Sequence, residues 1–336
     1  MKLAPSGTLT VRVALTALVL LAAGCAWDGP MSSVTSASDF SRAILHVYAI
    51  ITWATAIIGL IVFVVLIYVL VRFRARPDAP LPAQLRGHTL MELGWTIGPA
   101  LVLLVIAIPT IQIIFRTQTM AAPTGALQVT VRGWQWWWEF RYPDLGVVTA
   151  NELHLPVGRT VVLHLEGPDV IHSFWVPHLG GKRDVVPGRH NRIVLTPDRA
   201  GEHWGQCAEF CGASHANMGM RVITEPTADF DAWVMRQKAD PVEPSGLAAE
   251  GKSIFTKNAC VGCHTIAGVS AGVLAPNLSH FGGRRTLAAG MWPNTPDNVA
   301  AWVRDPQRLK PGVKMPDLGL TDDQAKAVAA YLTGLK

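Results

Sequence analysis

Two stretches without a formally charged residue, 44–71 and 93–115, constrain this chain more than any other feature. A helix of 23 residues at ~1.5 Å per residue reaches about 35 Å, enough for a hydrocarbon core of roughly 30 Å. Each stretch therefore reads as a membrane span. Between them Arg72, Arg74, Arg76 and Arg86 face a single acid, Asp78. The excess of arginine places this short loop in the cytoplasm and everything after residue 116 on the outer face. The remaining chain is long enough for about two further folded units. Of the 336 residues 50% are hydrophobic and 16% charged, against roughly 25% charged in ordinary soluble domains. Gly and Pro are present at ordinary levels, which excludes a disordered or collagenous chain. The net charge of +5 is carried by no basic run, so nucleic acid is not an expected partner.

The first 25 residues carry Lys2 and Arg12, an apolar run over 13–23, and Gly24-Cys25. That is the shape of a bacterial export signal. Its Ala-Ala-Gly-Cys ending resembles a lipobox, in which Cys25 would be lipidated, although Leu21 sits one place early. Ordinary cleavage nearby or a retained helix are the alternatives. The expected topology is a hairpin over 40–116 in a bacterial inner membrane, with the outer domains in the periplasm. Glu92 falls at the cytoplasmic mouth of the second span, where an acid is commonly just interfacial.

Over 121–236 the pattern changes to short β-rich runs. Leu127, Val129 and Val131 alternate with polar residues, and 160–165, 192–195 and 220–223 are β-branched runs broken by Pro and Gly. Strands at this spacing predict a Greek-key sandwich or barrel. The chemistry is concentrated in Cys207-Ala-Glu-Phe-Cys211-Gly-Ala-Ser-His215-Ala-Asn-Met218. Thiolate, imidazole and thioether together select copper or zinc. A structural zinc site takes Cys and His without Met, so Met218 points to copper. A mononuclear blue-copper site uses one cysteine, whereas two in one loop suit a bridged copper pair. A second histidine is then needed, and His172 is the best placed.

These residues resemble the dinuclear copper (CuA) site of cytochrome c oxidase subunit II, matching at His172, Cys207, Glu209, Cys211, His215 and Met218. The likeness continues through the 180–189 segment and the hairpin, including Glu92, Trp95, Thr96 and Pro99, and makes the β domain cupredoxin-like. It implies that the Glu209 backbone carbonyl binds one copper and that its carboxylate adjoins a magnesium ion shared with subunit I. It also implies that Glu92 stands near a proton-uptake path. In the run Trp134-Gln-Trp136-Trp137-Trp138 most rings are expected to be packing residues. The resemblance makes Trp136 the residue through which electrons enter, its ring exposed above a buried copper. His154, His164, His178, His190 and His203 lack partners at metal spacing and are expected to be hydrogen-bonded or exposed.

A polar, Pro-bearing linker over 237–246 precedes a last domain at 247–336. Cys260-Val-Gly-Cys263-His264 is the pattern for covalent c-type haem, with His264 as axial ligand. Met315 in Lys-Met-Pro is the expected sixth ligand, with Met291 as competitor. A Met/His pair raises the haem potential. Thr321 and Gln324 form a capping box opening a C-terminal helix. This small all-α unit resembles a class I cytochrome c.

Hairpin, CuA domain and fused cytochrome together resemble subunit II of caa3-type cytochrome c oxidases. The resemblance implies electron transfer from a donor such as cytochrome c through haem c and CuA to haem a of subunit I. Oxygen reduction at haem a3-CuB and proton translocation occur there, with subunit III and membrane lipid as further neighbours. The alternatives are the CuA subunit of a nitric oxide reductase and a free-standing membrane-anchored redox carrier.

Overall fold

A computed structural model describes residue 16 and residues 29–74, 83–84, 86–119 and 122–336. Apart from Thr16, the export signal with Cys25 lies outside the described residues, as do Arg76 and Asp78. Two long helices, α1 (Asp39–Arg72) and α2 (Thr89–Thr119), contain the charge-free stretches and run beyond them at both ends. Lack of charge marks the hydrocarbon-crossing part, while capping sets where a helix starts. Ser38 caps α1 in a box with Ser41, and Glu92 lies in the first turn of α2, where the helix dipole favours an acid. Asp39, Arg42 and His46 of α1 share a cleft with Pro109, Gln112 and Arg116 of α2, so the helices run antiparallel. Their mid-helix apolar side chains, among them Trp53, Phe63, Leu103 and Val105, are exposed on this chain. Two helices of this length and composition suit a bilayer.

The start of α1 is bonded directly to the outer domain. Ser38 Oγ donates to the Leu179 carbonyl at 2.6 Å, and the Ala37 amide donates to His178 O at 2.8 Å. The Thr196 amide donates to Asp39 Oδ1 at 2.7 Å, and Arg42 pairs with Asp198.

That outer domain is a two-sheet sandwich. Its strands are β1 (Leu127–Trp134), β2 (Trp137–Tyr142), β3 (Val147–Ala150), β4 (Glu152–Pro156), β5 (Val161–Glu166), β6 (His172–Trp175), β7 (Arg183–Val185), β8 (Asn191–Leu195), β9 (Gly201–Cys207) and β10 (Gly219–Glu225). One sheet has the order β3-β2-β1-β5-β8 and the other β4-β10-β9-β6-β7. Alternation in β1 buries Leu127, Val129 and Val131 against Phe140, Leu153, Phe174 and Met220, as a half-buried strand should. The register Phe174↔Cys207 sets the start of β6 beside the end of β9. The connection from β9 to β10 and the turn from β1 to β2 lie at that same end. Helix α3 (Thr227–Lys238) closes the other side, stacking Trp233 on His154 with centroids 4.2 Å apart.

The last domain is helical, with α4 (Leu247–Lys257), α5 (Cys260–Cys263), α6 (Pro296–Arg304), α7 (Pro306–Leu309) and α8 (Asp322–Gly334). The Thr321–Gln324 capping box opens α8 as expected. Helices α4 and α8 cross at Gly251, where an added Cβ would stand 1.9 Å from the Ala327 carbonyl oxygen. Phe255 and Tyr331 pack edge-on beside the crossing, 5.9 Å between centroids. Between α5 and α6 a short antiparallel ladder pairs 286–287 with 292–293. Its tip carries three successive positive φ values, Ala288 (54°), Ala289 (65°) and Gly290 (82°). For the alanines that conformation costs about 1–2 kcal/mol each.

Because backbone fills the Gly251 gap, Gly251→Val should force α4 and α8 apart at a cost of about 1–3 kcal/mol. Thermal unfolding followed in this domain should show a lower midpoint, and an unchanged midpoint would refute the close crossing.

Candidate metal centres

Five side chains and one backbone carbonyl converge at the β6–β9 end of the sandwich. Cys207 Sγ and Cys211 Sγ are 3.8 Å apart. His172 Nδ1 lies 3.8 Å from Cys207 Sγ, and His215 Nδ1 lies 3.5 Å from Cys211 Sγ. Met218 Sδ is 3.9 Å from Cys211 Sγ, and the Glu209 carbonyl oxygen is 3.2 Å from Cys207 Sγ. His172, Cys207 and Cys211 are buried and offer donor atoms within 4.8 Å of one another. The loop is held by its backbone, the Cys207 amide donating to Met218 O and the Ala208 amide to Ser173 O, each at 2.9 Å. The six donors expected from the sequence are thus brought together at one end of the fold. The Glu209 carboxylate is exposed beside Phe210, which is 78% exposed.

The sulfurs do not titrate independently. A hydrogen bond from Cys211 pulls the Cys207 thiol well below its ordinary range, and the same bond pushes Cys211 up. A bound metal would draw both sulfurs to the thiolate form. His172 Nε2 bonds Asp169 Oδ1 at 2.9 Å, which leaves Nδ1 for the sulfur side. Burial lowers the His172 pKa, but Asp169 and Cys207 outweigh it and the net shift is upward. Asp169 is itself fixed by the Gln135 amide and the Val170 amide, both donating at 2.7 Å. Sequence reasoning did not single out Asp169. The Asp-x-x-His spacing that ends at His172 was its available signal.

Trp136 sits over this loop, its Nε1 donating to the Cys211 carbonyl at 3.1 Å. Gln135 Nε2 donates to the same oxygen at 2.8 Å. The expected exposed ring is instead buried, with 7% of its surface accessible. The cause is the last domain, whose 310–312 turn covers it. Lys310 Nζ donates to the Trp136 carbonyl at 2.7 Å, and a Cβ at Gly312 (φ +80°) would meet Trp136 Cη2 at 3.0 Å. Ser214 Oγ donates to Pro311 O at 2.6 Å. The strained 288–290 tip docks alongside. The Gly219 amide donates to Ala289 O at 3.0 Å, and Glu152 accepts from the Arg285 and Thr286 amides at 2.7 and 2.9 Å. Nothing in a Lys-Pro-Gly turn announces burial, so Lys310 had no sequence signal.

In the last domain His264 Nδ1 bonds the Pro276 carbonyl at 2.8 Å. A donating Nδ1 leaves the Nε2 lone pair for a metal, and burial lowers this imidazole's pKa, favouring the neutral form. Cys260 and Cys263 span the single turn α5 immediately before it. Met315 packs against the cytochrome-side core together with Cys260. Met291, half-buried at the ladder tip, is not among the side chains packed there. Arg284 is half-buried and its guanidinium donates to the Asn277 carbonyl, but its Nε is buried with no partner among the described residues; burial pushes its pKa down to about 10. A cation with a buried open donor is a seat for an anionic group such as a porphyrin carboxylate.

Of the remaining expectations, Glu92 is exposed in the first turn of α2, with its carbonyl accepting from Thr96 Oγ1 at 2.8 Å. His154 bonds Glu225, His164 bonds Gln128 and His178 bonds His203, while His190 is exposed.

The orienting bond suggests a direct test. Asp169→Ala should weaken copper binding by about 10–100-fold, read by competition titration with a chelator. Undiminished affinity would mean that His172 is oriented by other contacts.

The family described as cytochrome C oxidase subunit II, transmembrane domain, matches residues 29–113. The periplasmic domain of the same subunit matches 146–225, and cytochrome c matches 248–336. Cytochrome c oxidase subunit 2 of Alkalihalophilus pseudofirmus is 35% identical over 329 residues, covering 96% of each chain. That of Bacillus subtilis is 37% identical over 298 residues, 81% of this chain and 83% of the relative. The crystal structure of the periplasmic domain of subunit II of cytochrome oxidase (CoxB) of Bradyrhizobium japonicum is 30% identical. It covers 35% of this chain and 97% of that one, with a TM-score of 0.34. From its membrane hairpin through its thiol-rich loop to its haem-type motif, the chain belongs to the cytochrome c oxidase subunit II family.

Proposed function

We propose that this chain receives electrons for a caa3-type cytochrome c oxidase. It passes them from a donor such as cytochrome c, through covalent haem c and dinuclear CuA, to haem a of subunit I for reduction of oxygen to water coupled to proton translocation. The observation that carries this reading is the set of two thiols, two imidazoles, a thioether and a carbonyl gathered at one sandwich end. Beside that end lies the turn that leads to Met315. The donor set fits a sulfur-bridged copper pair, and the partnerless Arg284 Nε with the Pro276-bound His264 fits a haem. Bound there, these groups supply two one-electron centres, the haem raised in potential by Met/His ligation.

The roles of the chain's own residues follow. Cys207, Cys211, His172, His215, Met218 and the Glu209 carbonyl would hold the copper pair. Asp169 holds the ring of His172 so that Nδ1 faces the metal. Cys260 and Cys263 would carry thioether links to the haem, and His264 and Met315 would hold its iron. Trp136, bonded to the Cys211 carbonyl, conducts electrons between the two sites. The exposed Glu209 carboxylate suits a magnesium ion shared with subunit I, since hard cations take oxygen ligands. Glu92 stands at a proton-path entrance, and subunit III and lipid pack around the hairpin. Cys25 is lipidated.

The first test is a reduced-minus-oxidised spectrum of the complex purified from native membranes through a tag on this chain. Haem c with haem a is expected. Haem c with only b-type haem would transfer the chain to a nitric oxide reductase, and haem c alone to a free-standing carrier. Cys207→Ser should abolish the CuA signal and leave covalent haem in place. Met315→Ala should lower the haem potential, and a redox titration that shows no change would shift the assignment to Met291.

A further inference from the structure

The two outer domains meet through a contact that no metal ligand explains. Lys310 carries a terminal amine on a side chain 2% exposed, borne by the last domain and inserted against the first. Its Nζ donates to two carbonyls at once, Trp136 O at 2.7 Å and Ala288 O at 3.1 Å. One is the backbone of the ring above the thiol loop; the other belongs to the strained tip of the cytochrome ladder. On its C-terminal side Pro311 O is gripped by Ser214, and Gly312 lies on the Trp136 ring. Gln307 Nε2 then ties the turn to the Met315 carbonyl at 2.8 Å. An unbroken run of contacts thus links the expected sixth ligand of the haem to the carbonyl of Cys211. Buried lysines are rare, and leaving one unpaired is costly, so its placement needs a reason beyond chain composition.

We propose that Lys310 is a positioning residue that clamps the cytochrome domain onto Trp136 and sets the geometry of electron transfer between haem c and CuA. This rests on the functional reading above. The step served is the movement of one electron, lost by ferrous haem and gained by the copper pair, with no bond made or broken and no proton moved. Such a step depends on distance and orientation. A side chain bonded to both domains holds them where neither domain's own core can.

The test uses the full oxidase carrying Lys310→Met, which keeps the stem and removes the donors. Haem c and CuA spectra and both potentials should be unchanged. Hydrogen exchange should quicken about tenfold at the interface amides of Gly219, Arg285 and Thr286, the order expected for losing a charge-assisted bond. Electron transfer from haem c to CuA, followed after photoreduction, should slow about tenfold and become dependent on solvent viscosity. Lys310→Arg, which still donates to two carbonyls, should recover most of both losses. Ser214→Ala, which frees only the Pro311 carbonyl, should move both readouts in the same direction by less. Unchanged exchange and rate in Lys310→Met would overturn the proposal. So would loss of either spectrum, which would put Lys310 in folding rather than positioning. A wild-type complex without haem c or CuA bands would instead remove the functional reading beneath it.

Discussion

Two sulfurs 3.8 Å apart in the interior cannot both ionise without a counter-charge, and the outer domain is organised around that constraint. Without metal, the Cys207 thiol is pulled down and the Cys211 thiol pushed up. With metal, the charge of the cation would favour both as thiolates. Either state needs a loop that keeps the pair close, and the sandwich supplies one by pairing β6 with β9 and returning through Met218 to β10. His172 arrives from one strand and His215 from the loop; Asp169 braces His172, and the Gln135 and Trp136 side chains hold the Cys211 carbonyl. The burial that makes the pair strongly interacting also lowers the dielectric in which any electron would be held.

The chemistry of this chain was legible because it is written in residue types at short spacing. Cys207, Cys211, His215 and Met218 lie within twelve residues, and Cys260, Cys263 and His264 within five. The spans and the β1 alternation were equally readable, since periodicity and missing charge are local properties. Helix ends were not, because α1 starts at the Ser38 cap and α2 at Thr89, both outside the apolar stretches. Asp169 was half legible, three residues before His172 but with nothing to mark it as a bracing group.

The burial of Trp136 could not have been read. It depends on Lys310, 174 residues away, and contacts of that separation leave no pattern along the chain. Glu152 is similar. A carboxylate at the head of β4 looks like an ordinary surface acid, yet it is 3% exposed and receives two amides from the cytochrome ladder. The interface uses polar groups that are individually unremarkable in sequence and are satisfied only across the two domains. The left-handed alanines at 288 and 289 belong to the same arrangement, since their unfavourable backbone presents carbonyls to Lys310 and Gly219.

Helix α3 ends at Lys238 and α4 begins at Leu247, leaving eight residues between them. Fully extended, that segment spans at most about 29 Å. A cytochrome that leaves its seat on Trp136 therefore stays on a short leash, with a local concentration in the millimolar range for a flexible tether of this kind. Its return is first order. However little mobile carrier the cell makes, the last handover before the membrane waits for the length of a tether rather than for a collision.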